Sequence, residues 1–247
     1  MEVAPGVHRF GHRLVNWWAV VDGGRVTLVD AGLPASWGEL PAALASAGRR
    51  LADVEAVVLT HAHSDHTGVA ERVRQAAGAT VHVHRADAGL ARGEQPWSQM
   101  ISRVPRLLAC FRSPGFLSNT VYFVRNGLLR PVPIRMLAQF GDGEQLDLPG
   151  GPQVVHVPGH TAGSCALLLE QSKVIFTGDA LVTLDPYSNR TGPRLMSRVS
   201  NAHSGQALAS LTALERLSAT ILLPGHGEPW IGSLTDAVAI ARRAGAA

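Results

Sequence analysis

The stretch Thr60-His61-Ala62-His63-Ser64-Asp65-His66 constrains this chain more than any other feature. It closes a short apolar run at 54–60. Its imidazoles at i and i+2, followed two and three residues on by a carboxylate and a third imidazole, converge on one point only where the backbone turns sharply. A strand-to-helix loop supplies such a turn. A lone histidine is usually structural, but four nitrogen or oxygen donors between positions 61 and 66 suit Zn, Mn or Fe.

Three further positions share this setting. His160 follows a strand-like run at 153–157 across Pro158-Gly159, Asp179 follows 173–177 across Gly178, and His226 follows 220–223 across Pro224-Gly225. Each ligand type stands just past an apolar strand, behind a glycine that lets the backbone turn tightly or left-handed and approach closely. His61, His63 and His160 would form a three-nitrogen site, and Asp65, His66 and His226 a second, with Asp179 bridging the two through its two oxygens. Such a set suits two metal ions with solvent between them, which makes hydroxide available near neutral pH.

The rest of the chain sets the frame. With 247 residues, 46% hydrophobic and 17% charged, and no uncharged apolar run of about 20 residues, disorder and membrane spanning are excluded. The net charge of +3 is carried by no long basic block, so nucleic-acid binding gains no support. Cys110 and Cys165 cannot build a disulfide framework or a cysteine-rich zinc site. Residues 1–10 lack the pattern of a signal peptide, and a cytoplasmic location is expected. Asp22-Gly23-Gly24 between apolar stretches at 14–21 and 26–29 predicts a hairpin. Helices are predicted over 37–47, 68–77 and 204–217, and strands over 54–60, 80–84, 153–157, 164–169, 173–177 and 220–223. Strands and helices are thus mixed through both halves, as in sheets covered by helices.

Residues 1–247 read as a single domain with a cap-like insert at about 85–141, where Pro96, Pro105, Pro114, Pro131 and Pro133 interrupt short helical pieces. Within 92–135 the arginines Arg92, Arg103, Arg106, Arg112, Arg125, Arg130 and Arg135 face Glu94 as the only acid. This is either a solvated or dimer-forming surface, or a cationic wall for an anionic or carrier-bound substrate. The oligomeric state is left open.

Through H-x-H-x-D-H at 61–66, G-H-T-A-G-S at 159–164, T-G-D at 177–179, L-P-G-H-G at 223–227 and L-V-D-A-G at 28–32, the chain resembles the metallo-β-lactamase-fold hydrolase superfamily, with a glyoxalase II-like ligand set. The resemblance implies an α/β fold, a four-layer αβ/βα sandwich of two mixed β-sheets with outer helices and the metals at one edge. It implies two Zn2+ per chain, with Fe or Mn as alternatives, and makes Asp30 the aspartate that buttresses the metal-binding loop. Antibiotic-hydrolysing members commonly lack the bridging aspartate. Glyoxalase II adds a glutathione-holding helical domain, for which the 21 residues after His226 are too few. Acyl-homoserine lactonases place a tyrosine three residues after the bridging aspartate; that position is Val182 here, and the nearest tyrosine, Tyr187, is an oxyanion donor or a turn residue. Nuclease members bring an extra arm or domain, and diiron flavoproteins a glutamate where His63 stands.

The function expected is therefore a dinuclear metal-dependent hydrolase that uses a bridging hydroxide to cleave an ester, thioester or lactone carbonyl of a small acyl substrate. Asp65, Asp179 and Tyr187 are the candidate catalytic residues. The alternative is a mononuclear iron persulfide dioxygenase-like oxidoreductase using His61, His160 and Asp179, with β-lactamase or nuclease activity as weaker readings. His8, His12, His82, His84 and His156 are expected in surface or structural roles, while His203 caps a helix or faces the site. Cys165 is read as a buried small residue, and Trp17, Trp18 and Trp97 as core.

Overall fold

The computed structural model describes residues 1–94, 110, 111, 113 and 115–245. Arg103, Arg106, Arg112 and Trp97 lie outside the described residues. Gly23 and Gly24, with φ of +56° and +88°, make the two-residue turn that returns β3 (Val15–Asp22) as β4 (Arg25–Val29), with Asp22 opposite Arg25. These strands sit inside a seven-stranded sheet ordered β1 (Glu2–Ala4), β2 (Val7–His12), β3, β4, β5 (Val54–Val58), β6 (Thr80–His84) and β7 (Ala138–Phe140). Pairing is antiparallel from β1 to β4 and parallel from β4 to β7. The second sheet is ordered β14 (Trp230–Ile231), β13 (Ile221–Pro224), β10 (Val174–Gly178), β9 (Cys165–Leu169) and β8 (Gln153–His156), and β11 (Val182–Asp185) pairs separately with β12 (Arg190–Arg194).

The two-residue period of a strand divides its side chains between two cores. On β3, Trp17 and Ala19 face the helices while Trp18 and Val20 face the other sheet; on β9, Ala166 and Leu168 face helices while Cys165, Leu167 and Leu169 face inward. The sheets therefore pack face to face through Trp18, Val58, Phe140, Leu167, Phe176 and Leu223. Outside the first lie α1 (Leu40–Ser46), α2 (Ala70–Ala77) and α3 (Ala88–Ala91). Outside the second lie α5 (Ser204–Ser210), α6 (Thr212–Glu215) and α7 (Leu234–Ala244); α4 (Phe116–Arg125) falls in the range read as insert. The layering is the expected αβ/βα sandwich.

Several elements differ from the sequence reading. The segment 204–217 is two short helices meeting at Leu211. β7 lies inside the range read as insert and pairs with β6, Phe140 opposite His84, so residues 138–140 belong to the first sheet. Strands β1, β2, β11, β12 and β14 and helix α7 have no counterpart in that reading. Arg92, Arg125, Arg130 and Arg135 are all exposed. No helix among the described residues is long and apolar enough to cross a membrane.

The segment leading into β7 is pinned to α2. Glu71, buried in the first turn of α2, accepts from Arg74 Nε and Nη2 at 2.9 and 2.8 Å, from Gln75 Nε2 at 2.8 Å and from the Arg135 backbone N–H at 3.2 Å. The Arg74 hydrogen bonds outweigh burial and, with Arg135 and Gln75, hold the Glu71 carboxyl at about 2. Because its folded pKa lies below the unfolded one, the stability it contributes is present above about pH 4.5 and is lost as pH falls through 2. Allowing for solvent screening, this is on the order of 1–2 kcal/mol. Urea unfolding of metal-free protein from pH 6 to pH 2 should show Glu71→Gln losing less stability than wild type by about that amount; parallel curves would refute the assignment.

Candidate metal centre

Strand direction gathers the ligands. β4 and β5 run parallel; β10 and β13 run parallel, and β8, antiparallel to β9 as is β10, runs with them. Asp30, the 60–66 loop, His160, Asp179 and His226, each just past the carboxyl end of its strand, meet at one edge of the sandwich. Backbone bonds stitch that edge: Asn16 N–H donates to Gly225 O at 2.8 Å, Cys165 N–H to Thr60 O at 2.9 Å, and Ala31 N–H to His66 O at 2.7 Å.

All seven predicted ligands are brought together. Ligand atoms of His61, His63 and His160 lie within 4.8 Å of one another, as do those of Asp65, His66 and His226, and those of His61, His66 and Asp179. Asp179 stands between the triads: its Oδ2 is 3.1 Å from His226 Nε2, 3.3 Å from His160 Nε2 and 3.9 Å from His61 Nε2, while Oδ1 is 3.5 Å from His66 Nε2. Asp65 Oδ2 is 3.5 Å from His226 Nε2 and 3.6 Å from His66 Nε2.

The ring tautomers test whether a cation fits. His66 Nδ1 faces Asp30 Oδ2 at 2.9 Å, His160 Nδ1 faces Asn201 Oδ1 at 3.1 Å, and His226 Nδ1 faces the Leu14 carbonyl. Each Nδ1 must carry a proton to donate, which leaves each neutral ring's Nε2 lone pair aimed at the Asp179 and Asp65 carboxylates and, for His160, also at His63 Nδ1, 2.8 Å away. Lone pairs facing carboxylates repel unless a proton or a metal lies between them. His61 Nε2, His66 Nε2 and Asp179 Oδ1 are buried with no hydrogen-bond partner among the described residues, a state that divalent coordination would relieve.

Charge follows the same logic. Burial lowers the His61 pKa well below the ordinary value, helped by the His66 charge. Burial also opposes charge on His66, but Asp65, Asp179 and Asp30 together hold it up at about 10. Burial would raise Asp179, yet His226 and His66 keep it well below the carboxylate range. Ligation needs neutral imidazoles, so metal binding competes with protons at His66 and His226, whose affinity for protons the carboxylates raise.

The supports divide between those that sequence reading reaches and those that it does not. Asp30, expected as the buttress, accepts from Thr60 N–H at 2.8 Å and from Thr60 Oγ1 at 2.9 Å as well as from His66, and holds φ at +59° to do so. Asn201 and Asn16 are absent from that reading. Asn201 orients His160 while its own Nδ2 donates to Met196 O at 2.9 Å, and fully buried Asn16 donates through Nδ2 to Pro224 O at 3.0 Å and Gly227 O at 2.7 Å, holding the His226 loop. No local pattern marks either residue. Tyr187 stacks on Phe116 of α4 at 6.3 Å, and its backbone N–H donates to Asp185. His203 stands at the N-cap position of α5 without a side-chain capping bond and lines a cleft with Arg198 and Asn201.

A further cluster joins His84, Asp142 and His156, with His84 Nε2 2.7 Å and His156 Nδ1 3.1 Å from Asp142. Its rings stack at 4.4 Å and 11°. An imidazole lone pair lies in the ring plane, and two nearly parallel stacked planes share no point for one ion. The cluster is a hydrogen-bonded clasp, extended by His156 Nε2 to Ala162 O at 2.9 Å.

Cys165 lies in the core between the sheets, its Sγ 3.3 Å from Thr60 O, and burial pushes its thiol well up. Cys165→Ser should keep metal content and turnover within about threefold of wild type, since neutral donors of similar size exchange there. Loss of metal measured by elemental analysis of the folded variant would contradict this.

This fold and this edge of histidines and aspartates define a metal-binding α/β sandwich. Residues 10–226 match the sequence profile of the Metallo-beta-lactamase superfamily, and the chain belongs to that superfamily. The probable metallo-hydrolase YflN of Bacillus subtilis is 24% identical over 246 residues, spanning 94% of this chain and 87% of the relative. Acyl-coenzyme A thioesterase MBLAC2 of Gallus gallus is 32% identical over 195 residues, 70% of this chain and 62% of the relative. The crystal structure of a metallo-beta-lactamase family protein from Thermus thermophilus superposes with a TM-score of 0.72 at 25% identity, covering 98% of this chain and 80% of that one.

Proposed function

We propose that the protein is a dinuclear metal-dependent hydrolase of acyl thioesters, with two Zn2+ held by His61, His63 and His160 on one side and Asp65, His66 and His226 on the other. The observation that carries this reading is the placement of Asp179 between the two triads, with Oδ2 facing His160 of the first and both oxygens facing the second, Oδ2 toward His226 and Oδ1 toward His66. Bound divalent ions would supply Lewis acidity toward a carbonyl and a water acidic enough to attack near neutral pH. The chain supplies the rest. Asp179 and Asp65 offset the positive charge of the site, and the hydrogen bonds of Asp30, Asn201 and Leu14 O keep each Nε2 aimed inward, so little reorganisation accompanies the reaction.

The second triad is backed by a buried apolar cluster. Phe123 of α4 meets the His226 ring edge-on at 6.2 Å and 76°, and packs with Leu14, Leu33 and Leu184. Asn119 Nδ2 donates to Pro186 O at 2.9 Å and ties this helix to the loop that carries Tyr187, the candidate donor to a developing oxyanion. The thioesterase relative points to the same bond type.

Zinc-loaded protein should hydrolyse acyl thioesters without oxygen, and faster than matched esters and lactones. Oxygen uptake with a persulfide on iron-loaded protein, together with no hydrolysis by the zinc form, would replace this reading with the mononuclear dioxygenase.

A further inference from the structure

The three-nitrogen site is built from two loops on different sheets, one after β5 bearing His61 and His63 and one after β8 bearing His160. Their separation must be held within a few tenths of an ångström for three nitrogens to share an ion. Among the described residues, one side chain hydrogen-bonds to both loops. Asp87, in the turn that follows β6, is 1% exposed. Its Oδ2 accepts from the Ala62 N–H at 3.0 Å, midway between His61 and His63, and from Thr161 Oγ1 at 2.7 Å, next to His160. Its Oδ1 accepts from the Gly163 N–H at 2.7 Å.

The second loop is shaped to receive this carboxylate. Thr161 N–H donates to Ser164 Oγ at 2.9 Å, and the two hydroxyls are 2.8 Å apart, so the Thr161 hydroxyl is locked toward Asp87. Gly163 passes so close that a Cβ there would lie 2.7 Å from both Cβ and Cγ of Asp87. The second triad has other supports: Asp30 for His66, and the Leu14 carbonyl and Asn16 for the His226 loop.

We infer that Asp87 is a positioning residue that sets the spacing of the His61, His63 and His160 site by clamping the two loops together, acting through Ala62 and Thr161. The inference rests on the two-site reading above. A carboxylate suits the task because it accepts from all three donors at once, whereas an amide of the same shape turns one oxygen into a donor and sets it against a fixed N–H. Asp87→Asn should therefore spread the two loops without altering any ligand.

The test is titration of metal-free wild type and Asp87→Asn with Co2+, followed by visible absorption and chelator competition. Wild type should take up two ions per chain. In the variant one site should weaken by about 10–100-fold, the scale of losing a residue that orients ligands, with a changed cobalt spectrum, while the other moves by less than about threefold. Thr161→Val, which removes one of the three bonds, should weaken the same site by less, and it decides the matter if Asp87→Asn does not fold. Equal weakening of both sites, or a lowered Tm with both affinities unchanged, would show Asp87 to be a structural residue only. Fewer than two ions in wild type would overturn the two-site reading, and the inference with it.

Discussion

Asp179→Ala should bind about one metal ion per chain where wild type binds two, and should lose about a thousandfold or more in kcat/KM on an acyl thioester, the scale of removing a preorganised charge from a reaction site. The reason lies in what surrounds that carboxylate. His226, His160 and His66 all place Nε2 between 3.1 and 3.5 Å from its oxygens. Without it, among the described residues, Asp65 is left as the carboxylate facing the Nε2 atoms of His66 and His226, and the two triads have no shared ligand. Asp179→Asn, which retains one oxygen, should fall between the two. Metal analysis after exhaustive dialysis, paired with steady-state rates, checks the outcome. Two tightly bound ions in the folded alanine variant would remove Asp179 from the bridging role.

Gly225→Ala should be nearly as damaging, although glycine is no ligand. A methyl group on Gly225 would overlap Asp179 Oδ1 and sit 2.7 Å from His66 Cε1. The backbone cannot retreat, because Gly225 N–H donates to Gly178 O at 2.8 Å and Gly225 O accepts from Asn16 N–H at 2.8 Å. Overpacking at such a point costs about 1–3 kcal/mol of stability. The larger effect falls on the site: the bridging carboxylate is pushed away from His66, and turnover should drop by about a hundredfold. Normal Co2+ stoichiometry and wild-type turnover in this variant would show that Asp179 has room to move.

Much of the centre was legible because its signals are local. Gly159 and Gly178 take positive φ, +130° and +48°, as the turn after each strand requires. At Gly225 the close approach expected of a glycine before a ligand is what the structure shows, since packing against Asp179 and His66 excludes a side chain there. The hairpin at Gly23-Gly24 and the buried strands β9 and β10 were equally plain, since a strand covered on both faces reads as an unbroken apolar run. By contrast β2, with only Val7 and Phe10 buried, alternates too weakly to announce itself.

The sequence by itself therefore determined the ligand types, their order along the chain and their position just past apolar strands, because these depend on residues a few places apart. It also determined which strand residues face opposite ways, since side-chain alternation is a property of the extended backbone. Only the tertiary structure decided how the ligands are aimed. Asn16 meets Pro224 across 208 positions, Asn201 meets His160 across 41, and Asp87 meets Ala62 across 25. None of these three residues, Asn16, Asn201 or Asp87, stands in a motif or a periodic pattern. Their hydrogen-bond partners exist only once the two sheets have packed and brought distant backbone groups to the same edge, so their roles cannot be read before the fold is formed.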